Sequence, residues 1–497
     1  MNSRARNFLR LLLVCIVLLV VQYLTTIDVP NHLDSLIPPF KNLKSSVVDD
    51  GRRMHRLTVD NGPTGRPPGA VDREPADYED TSTEENKEHE KDIPPFLGIP
   101  NSLFRSPYHR YWETNCSGLF QNDDAVIKAT NVMIKAARVD GKVPMPSDES
   151  FFRHTQNCTA FRRTRNYPER PNSKEEEDYP LAYIIATHKE VAQVERLLRV
   201  IYQPQNIYCV HPDKKSPPDY QRAIIGLVSC FDNVFIPSEV ESVVYAGYTR
   251  LKADINCMSD LLEKPVRWRY VMNLCGQDFP LKTNLEIIRQ LKAFKGHNDI
   301  NGIIPPSYII GRTKHHFIVR EDGKLVSTSE RKTPAPHNFT IYFGNAYLAA
   351  TRAYVSYVVN DQRAIDLLEW SKDTWSPDEH YWVTVQRYPG VPGGYPNATW
   401  DSLARFIKWG DIHEYPKCIG KNVRAVCVFG VGYLQHLVRL PHLFGNKFHY
   451  DFDPVTLQCM EEMLEYRQRY PGSIHQFLSE FPNTTLIWQN HTAYLGD

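Results

Sequence analysis

The sequence has no surplus of either charge: 58 Lys and Arg stand against 58 Asp and Glu in 497 residues. No overall field favours nucleic acid or an anionic surface, so nucleic-acid binding is set aside as a first reading. Paired CxxC and HxxxH spacings are missing, which argues against a zinc site. No internal repeat is evident. Between Thr25 and about Pro100 aliphatic residues are scarce and Pro, Gly and charge dominate, as in DNGPTGRPPGAVDREPADYEDTSTEENKEHEKD. Such a stretch cannot bury enough apolar area to offset its ordering entropy and is expected to be a flexible stem, residues 25–110.

One long apolar run stands out. Phe8 to Leu24 (FLRLLLVCIVLLVVQYL) is interrupted only by Arg10 and Gln22 and follows Arg4 and Arg6. It is at the short end of spanning length, Arg10 can snorkel to the headgroups, and basic residues before it favour a cytoplasmic N-terminus. No small-x-small cleavage site follows it, so residues 8–24 read as an uncleaved signal-anchor, with residues 1–7 as a cytoplasmic tail and the rest luminal. Of ten cysteines, Cys15 falls in this run and nine lie beyond it. An odd luminal count suggests four bridges and one free thiol. Acceptor patterns for N-glycosylation at Asn115, Asn157, Asn338, Asn397, Asn483 and Asn490 agree with a luminal body,.

From Tyr179 the pattern alternates strand and helix. The apolar run LAYIIAT is followed by a segment in which Val191, Val194, Leu198 and Ile201 recur at three and four residues, the stripe of an amphipathic helix on a sheet,. NIYCVH completes a βαβ unit, and NVFIPS, RYVMNLC, TIYFGNAYLA and RAVCVFG are further strand candidates, with a helix over Leu285 to Phe294,. The expectation is one α/β domain with a mostly parallel central sheet, residues 111–460. Ligands in such sheets lie beyond the carboxyl ends of strands, which directs attention to His188, His211 to Lys215 and Gly276 to Phe279.

Several segments, in order, carry a resemblance: RLLRVIYQPQNIYCVHPDKKS, ESVVYAGYTRLKADINCM, YVMNLCGQDFPLKTNLEI, SKDTWSPDEHYWVTVQR, and VCVFG followed by LFGNKF. Over about Cys116 to Cys459 the chain resembles the core 2 and I-branching β1,6-N-acetylglucosaminyltransferase family. The resemblance implies a disulfide-bonded, Rossmann-like domain of glycosyltransferase-A type in the Golgi lumen. It implies bridges Cys116–Cys459, Cys158–Cys230, Cys209–Cys257 and Cys418–Cys427, leaving Cys275 free. It also implies inverting transfer from UDP-N-acetylglucosamine to a glycoprotein or glycolipid glycan, with no cofactor or metal.

Inversion in one displacement needs a base on the acceptor side and stabilisation of the departing diphosphate. The family motif matches SPDEH and puts the base on Glu379. The same letters also spell a helix capping box beginning at Ser376, with Pro377 at the first helical position, a cap that is compatible with the catalytic role. Asp378 reads as structural. The family's diphosphate cations match Arg424 and Lys447, a guanidinium that forks onto phosphate and a compact ammonium. The Asp-x-Asp string at Asp451 and Asp453 reads as structural. For the nucleotide, the family matches the backbone of Ile185 and Thr187 and the carboxylate of Asp213; His188 and His211 read as structural.

Arg312, Lys408 and Trp409 are the acceptor-side candidates. Asn301 stands where core 2 members carry glutamate, and Gly410 and Asp411 follow Lys408 and Trp409 where they carry tyrosine, so the pattern leans to the I-branching members. The alternatives are a peptide xylosyltransferase-like enzyme and an inactive, sugar-binding Golgi protein that has lost the base or the cations. A homodimer is compatible with the sequence, and residues 461–497 form an extension of no assigned role.

Overall fold

The computed structural model describes Phe96 and residues 110–395, 402–410 and 418–471. The apolar run 8–24, nearly all of residues 25–110, the tail beyond residue 471, and Asn397, Asn483 and Asn490 lie outside the described residues. Among the described residues no helix is long and apolar enough to cross a membrane.

Five described helices precede the sheet, the first two being α1 (Cys116–Phe120) and α2 (Asp124–Ala136). Each is started by a side chain that satisfies free backbone N–H groups: Asn115 accepts from Gly118, and Asp123 from Ala125 and Val126,. The central sheet follows, in the order β3-β2-β1-β4-β8. β1 (Ala182–Thr187) lies in its middle and pairs in parallel with β2 (Ile207–Pro212) and β4 (Tyr270–Cys275). β3 (Val234–Phe235) extends the parallel set, while β8 (Ala349–Thr351) closes the other edge antiparallel to β4. The apolar run of β1 is covered on both faces, which is why it does not alternate,. Helix α3 (Val191–Ile201) connects β1 to β2, and α4 (Tyr248–Glu263) connects β3 to β4. Beyond β4, helix α5 (Asn284–Ala293) opens with a capping box formed by Thr283 and Glu286,.

Two of the expected strands behave differently. In TIYFGNAYLA only the final alanine joins the sheet; Phe343 makes an isolated bridge to Ile303 instead and the segment lines a cleft. RAVCVFG leaves the sheet altogether. Its strand β11 (Val426–Val428) folds back on β10 (Lys421–Val423) as a two-stranded hairpin. A second small sheet places β12 (Phe444–Asn446) between β5 (Asp278–Pro280) and β9 (Arg405–Ile407).

The polar side of α3 is the larger departure. The spacing predicts one apolar stripe on the sheet, yet Gln193, Glu195, Arg196 and Arg199 are buried as well. Helix α6 (Pro454–Arg469) packs on the two arginines and is itself buried along most of its length, so residues 461–467 belong to the body and not to an extension. Glu461 takes both arms of Arg196, at 2.5 and 2.7 Å, and an arm of Arg199 at 3.2 Å. Glu195 in turn sits 3.4 Å from Arg165 and accepts from the Tyr167 hydroxyl.

Four disulfides are present, with the pairing the resemblance implies: Cys116–Cys459, Cys158–Cys230, Cys209–Cys257 and Cys418–Cys427. Cys275 is free. The first spans 343 residues, so by loop-closure entropy alone it is worth on the order of 5 kcal/mol, less any native strain,. Glu461→Ala leaves the buried Arg196 guanidinium without its carboxylate and Arg199 with Glu195 alone, and is expected to cost about 3–5 kcal/mol, read as a lower denaturant midpoint at unchanged slope,.

Candidate active site

Thr187 and Asp213 meet at the carboxyl ends of neighbouring parallel strands. The Asp213 N–H donates to the Thr187 carbonyl at 2.8 Å, and the Thr187 hydroxyl bonds Tyr220 at 2.6 Å. Ile185 lies two residues deeper, in register between Val210 and Leu274, so Thr187 reaches the strand ends and Ile185 does not. One oxygen of Asp213 receives the N–H groups of Lys215 and Val243, which folds the 238–246 loop against the strand end. His211 serves the same loop: its Nε2 accepts the Glu241 N–H at 3.0 Å, and burial lowers its pKa. His188 is also held down in pKa by burial, and its carbonyl accepts from Ser216. Both histidines are thus biased to the neutral form, and His211 has a structural role.

Gly276, just after β4, shows how tightly this end is built. A Cβ there would come within 2.9 Å of the Thr187 hydroxyl and 3.2 Å of Val194. Beside it, burial pushes the Cys275 thiol up to about 11, which makes it an inert core group at neutral pH,. Lys447 follows β12 across this corner. Burial, first, and then repulsion from Arg424 and Lys189 lower its ammonium pKa, against attraction from Cys275 and Asp278. Lys447, Arg424 and Lys189 therefore share one electrostatic neighbourhood. Lys189 was not singled out by sequence; its place directly after the β1 end, in THK, was the available signal.

Arg424 sits in the two-residue turn of the β10–β11 hairpin, exposed, with its guanidinium 4.7 Å from the centre of the Tyr245 ring,. Asp451 and Asp453 take no part. Asp453 caps α6, one oxygen accepting from Thr456 and the other from Val431, while Asp451 pairs with Lys142 and His449. Among the described residues no group of three His, Cys, Asp or Glu side chains is arranged to hold a metal.

Glu379 stands in a shallow cleft lined also by Ile309, Arg312, Tyr342, Phe343 and Trp375. The capping box read from Ser376 to Glu379 does not form. Ser376 adopts a left-handed conformation (φ 45°, ψ 61°), its side chain caps nothing, and Pro377–Glu379 is a single tight turn. Its N–H donates to the Ala246 carbonyl at 2.7 Å, and the Glu379 carbonyl accepts from Gly344 at 2.7 Å, so both ends of the turn are pinned. The Glu379 carboxylate, freed from capping, pairs with Arg312 at 2.5 Å. Burial pushes its pKa up to about 7; Arg312 opposes the shift and Asp378 adds to it. With 32% of the side chain still accessible, the carboxylate is half-buried and reachable from solvent.

Behind this turn, Arg250 on α4 lies 2.9 Å from the fully buried Asp254 and is the principal charge opposing the burial of Asp378. Arg250 is a second residue that sequence reading passed over, lying in YAGYTR. Of the acceptor-side candidates, Arg312 lies in the cleft. Lys408 is buried, its ammonium bound to the Trp409 carbonyl at 2.8 Å, so it braces the Trp409 segment and does not reach the cleft. Trp409 is half-buried and bridges Val426 of the hairpin. Asn301 is buried and accepts from the Asn345 N–H. Asn115, Asn157 and Asn338 are exposed; the first two cap helices through Oδ1.

Basic side chains near the carboxyl ends of a parallel sheet, together with a raised-pKa carboxylate in a nearby cleft, are compatible with an α/β group-transfer enzyme,. The family model described as Core-2/I-Branching enzyme matches residues 181–438. The chain belongs to the core-2/I-branching enzyme family. It is 46% identical over 66% of its length to a human N-acetyllactosaminide beta-1,6-N-acetylglucosaminyl-transferase, of which it covers 83%. A mouse beta-1,3-galactosyl-O-glycosyl-glycoprotein beta-1,6-N-acetylglucosaminyltransferase 3 is 42% identical over 72% of the chain and 84% of that protein. A human beta-1,3-galactosyl-O-glycosyl-glycoprotein beta-1,6-N-acetylglucosaminyltransferase is 41% identical over 71% and 86%.

A carboxyl whose folded pKa lies above its unfolded value opposes folding once it ionises: the penalty is absent below about pH 4.5 and grows as pH rises through about 7,. Glu379→Gln, which keeps an acceptor for Arg312, should therefore gain melting temperature over wild type between pH 5 and pH 8, with little difference at the acid end.

Proposed function

We propose that the protein transfers N-acetylglucosamine from UDP-N-acetylglucosamine, with inversion, in β1,6 linkage to a galactose or N-acetylgalactosamine of a glycan, creating a branch. The observation that carries the reading is the place of Glu379: a half-buried, accessible carboxylate paired with Arg312 in a cleft, its pKa raised by burial. Its carboxylate takes the proton of the acceptor's 6-hydroxyl as that oxygen attacks the anomeric carbon and the bond to the diphosphate breaks. The negative charge then passes to the leaving group. Arg424 and Lys447, with Lys189, neutralise it there, and fixed cations are suited to this because they need no reorganisation as the charge arrives. Asp213 and the Thr187 strand end receive the uridine. The body on this reading is of glycosyltransferase-A type, held in the Golgi lumen by residues 8–24 as a type II membrane protein.

Acceptor choice follows the I-branching pattern, galactose within poly-N-acetyllactosamine. Higher identity to the N-acetyllactosaminide enzyme than to the galactosyl-O-glycosyl-glycoprotein enzymes supports this, as do Asn301 and Gly410.

Detergent-solubilised full chain, given radiolabelled UDP-N-acetylglucosamine in excess EDTA, is expected to label linear poly-N-acetyllactosamine in preference to Galβ1,3GalNAc. Glu379→Gln should lower kcat by about 10²–10⁴. Loss of transfer in EDTA would remove the cations from their proposed role, and label on Galβ1,3GalNAc alone would reverse the acceptor assignment. The pH profile carries a further sign test. kcat/KM should fall below about pH 7 as Glu379 gains its proton; Arg312→Gln should move that limb to higher pH and Asp378→Asn to lower pH, because Arg312 lowers and Asp378 raises the Glu379 pKa,.

A further inference from the structure

Arg424 and Ala425 are the two central residues of the β10–β11 turn, and both have positive φ, 51° and 63°. This is the geometry of a type I′ turn, which asparagine and glycine normally occupy because a Cβ is strained there. Non-glycine residues persist in such a conformation when their surroundings over-determine it. Here they do. The Cys418–Cys427 bridge closes the hairpin from below. The Ala425 carbonyl accepts the Gly410 N–H at 2.7 Å, Trp409 bridges Val426, and the Cys427 N–H donates to the Lys408 carbonyl at 2.8 Å. On the far side of β11 the Phe429 N–H donates to the carbonyl of Lys447 at 2.9 Å.

The two candidate diphosphate cations are therefore parts of one stitched unit: one at its strained tip, the other on the strand to which its tail is bonded. An exposed arginine on a free loop would have to be ordered at each binding event, whereas this one starts near its working pose, over the Tyr245 ring,. We propose that the disulfide-closed 418–427 hairpin is a positioning element that presents Arg424 to the donor's diphosphate in fixed relation to Lys447. Ala425, Cys418, Cys427 and Gly410 act through Arg424 and are positioning residues. The inference rests on the reading of Arg424 as a diphosphate cation.

The test is a double-mutant cycle on UDP affinity, measured by calorimetry with the full chain, alongside KM for UDP-N-acetylglucosamine, kcat and melting temperature. Its corners are wild type, Arg424→Met, Cys418→Ser with Cys427→Ser, and the combination. Bridge removal is expected to weaken UDP and raise donor KM about tenfold, and to lower kcat at saturating donor and acceptor as well, because Arg424 meets charge that develops only as the diphosphate leaves. Arg424→Met should cost much less in the bridge-free background than in wild type, because a loosely held arginine has less to lose. Gly410→Pro, which deletes the single N–H donated to Ala425, should act in the same direction and serves if the bridge-free chain lacks a cooperative melt. Equal Arg424→Met costs in both backgrounds, or UDP affinity unchanged in a folded bridge-free chain, would overturn the inference while leaving the donor reading intact. An Arg424→Met chain that binds UDP as wild type would overturn the donor reading of Arg424, and the inference with it.

Discussion

The contact on which most of the structure depends is the burial of Glu461 against Arg196 and Arg199. Removing three charges from water is costly, and mutual attraction in a low-dielectric interior repays it only when geometry is good and hydrogen bonds are complete. The two-armed contact with Arg196 supplies that geometry. Because the carboxylate comes from α6 and the guanidinium groups from α3, helix α6 can dock in only one register on the helix that follows β1. Gln193 extends the same face. Its amide donates to the carbonyls of Gly276 and Phe448 and its oxygen accepts from the Tyr450 N–H. The segment carrying Lys447 is thus tied to the end of β4 and to α3, and Asp453, one turn on, holds Val431 after the hairpin.

Charge in the site is divided in the direction the displacement requires. Lys189, Arg424 and Lys447 gather at one end, whereas Asp254, Asp378 and Glu379 lie at the other with only Arg250 and Arg312 to balance them. Burial keeps Glu379 basic against the pull of Arg312, and on the proposed mechanism the cations meet the charge of the departing diphosphate. A proton moves toward the first as electron density moves toward the second.

Much of the fold was legible because continuous apolar runs such as LAYIIAT and a 3.6-residue stripe encode buried parallel strands and their crossover helix directly. The cysteine pairing was not legible from spacing; it came through family resemblance, and so did the assignments of Glu379, Arg424 and Lys447. What escaped was whatever depended on distant contacts. SPDE spells a cap locally, but the carbonyl of Ala246 holds Ser376 in a left-handed conformation that no four-letter window contains. The charged side of α3 looks solvent-facing until α6, more than 250 positions away, supplies its counter-charge. Arg250 and Lys189 belong to ordinary-looking helix and loop sequences, and only their neighbours in space mark them.

The connectivity of the disulfides bears on how the chain is made. Cys158 pairs with Cys230 and Cys209 with Cys257, so the two loops interleave. Synthesis runs from the N-terminus and domains begin to fold as they emerge. Cys209 thus becomes available to Cys158 before Cys230 does, and the native partner of Cys116 comes only when nearly the whole body has emerged with Cys459. Any Cys158–Cys209 pairing made on the way has to be undone before either native bridge can close, and such thiol–disulfide exchange takes seconds to hours,.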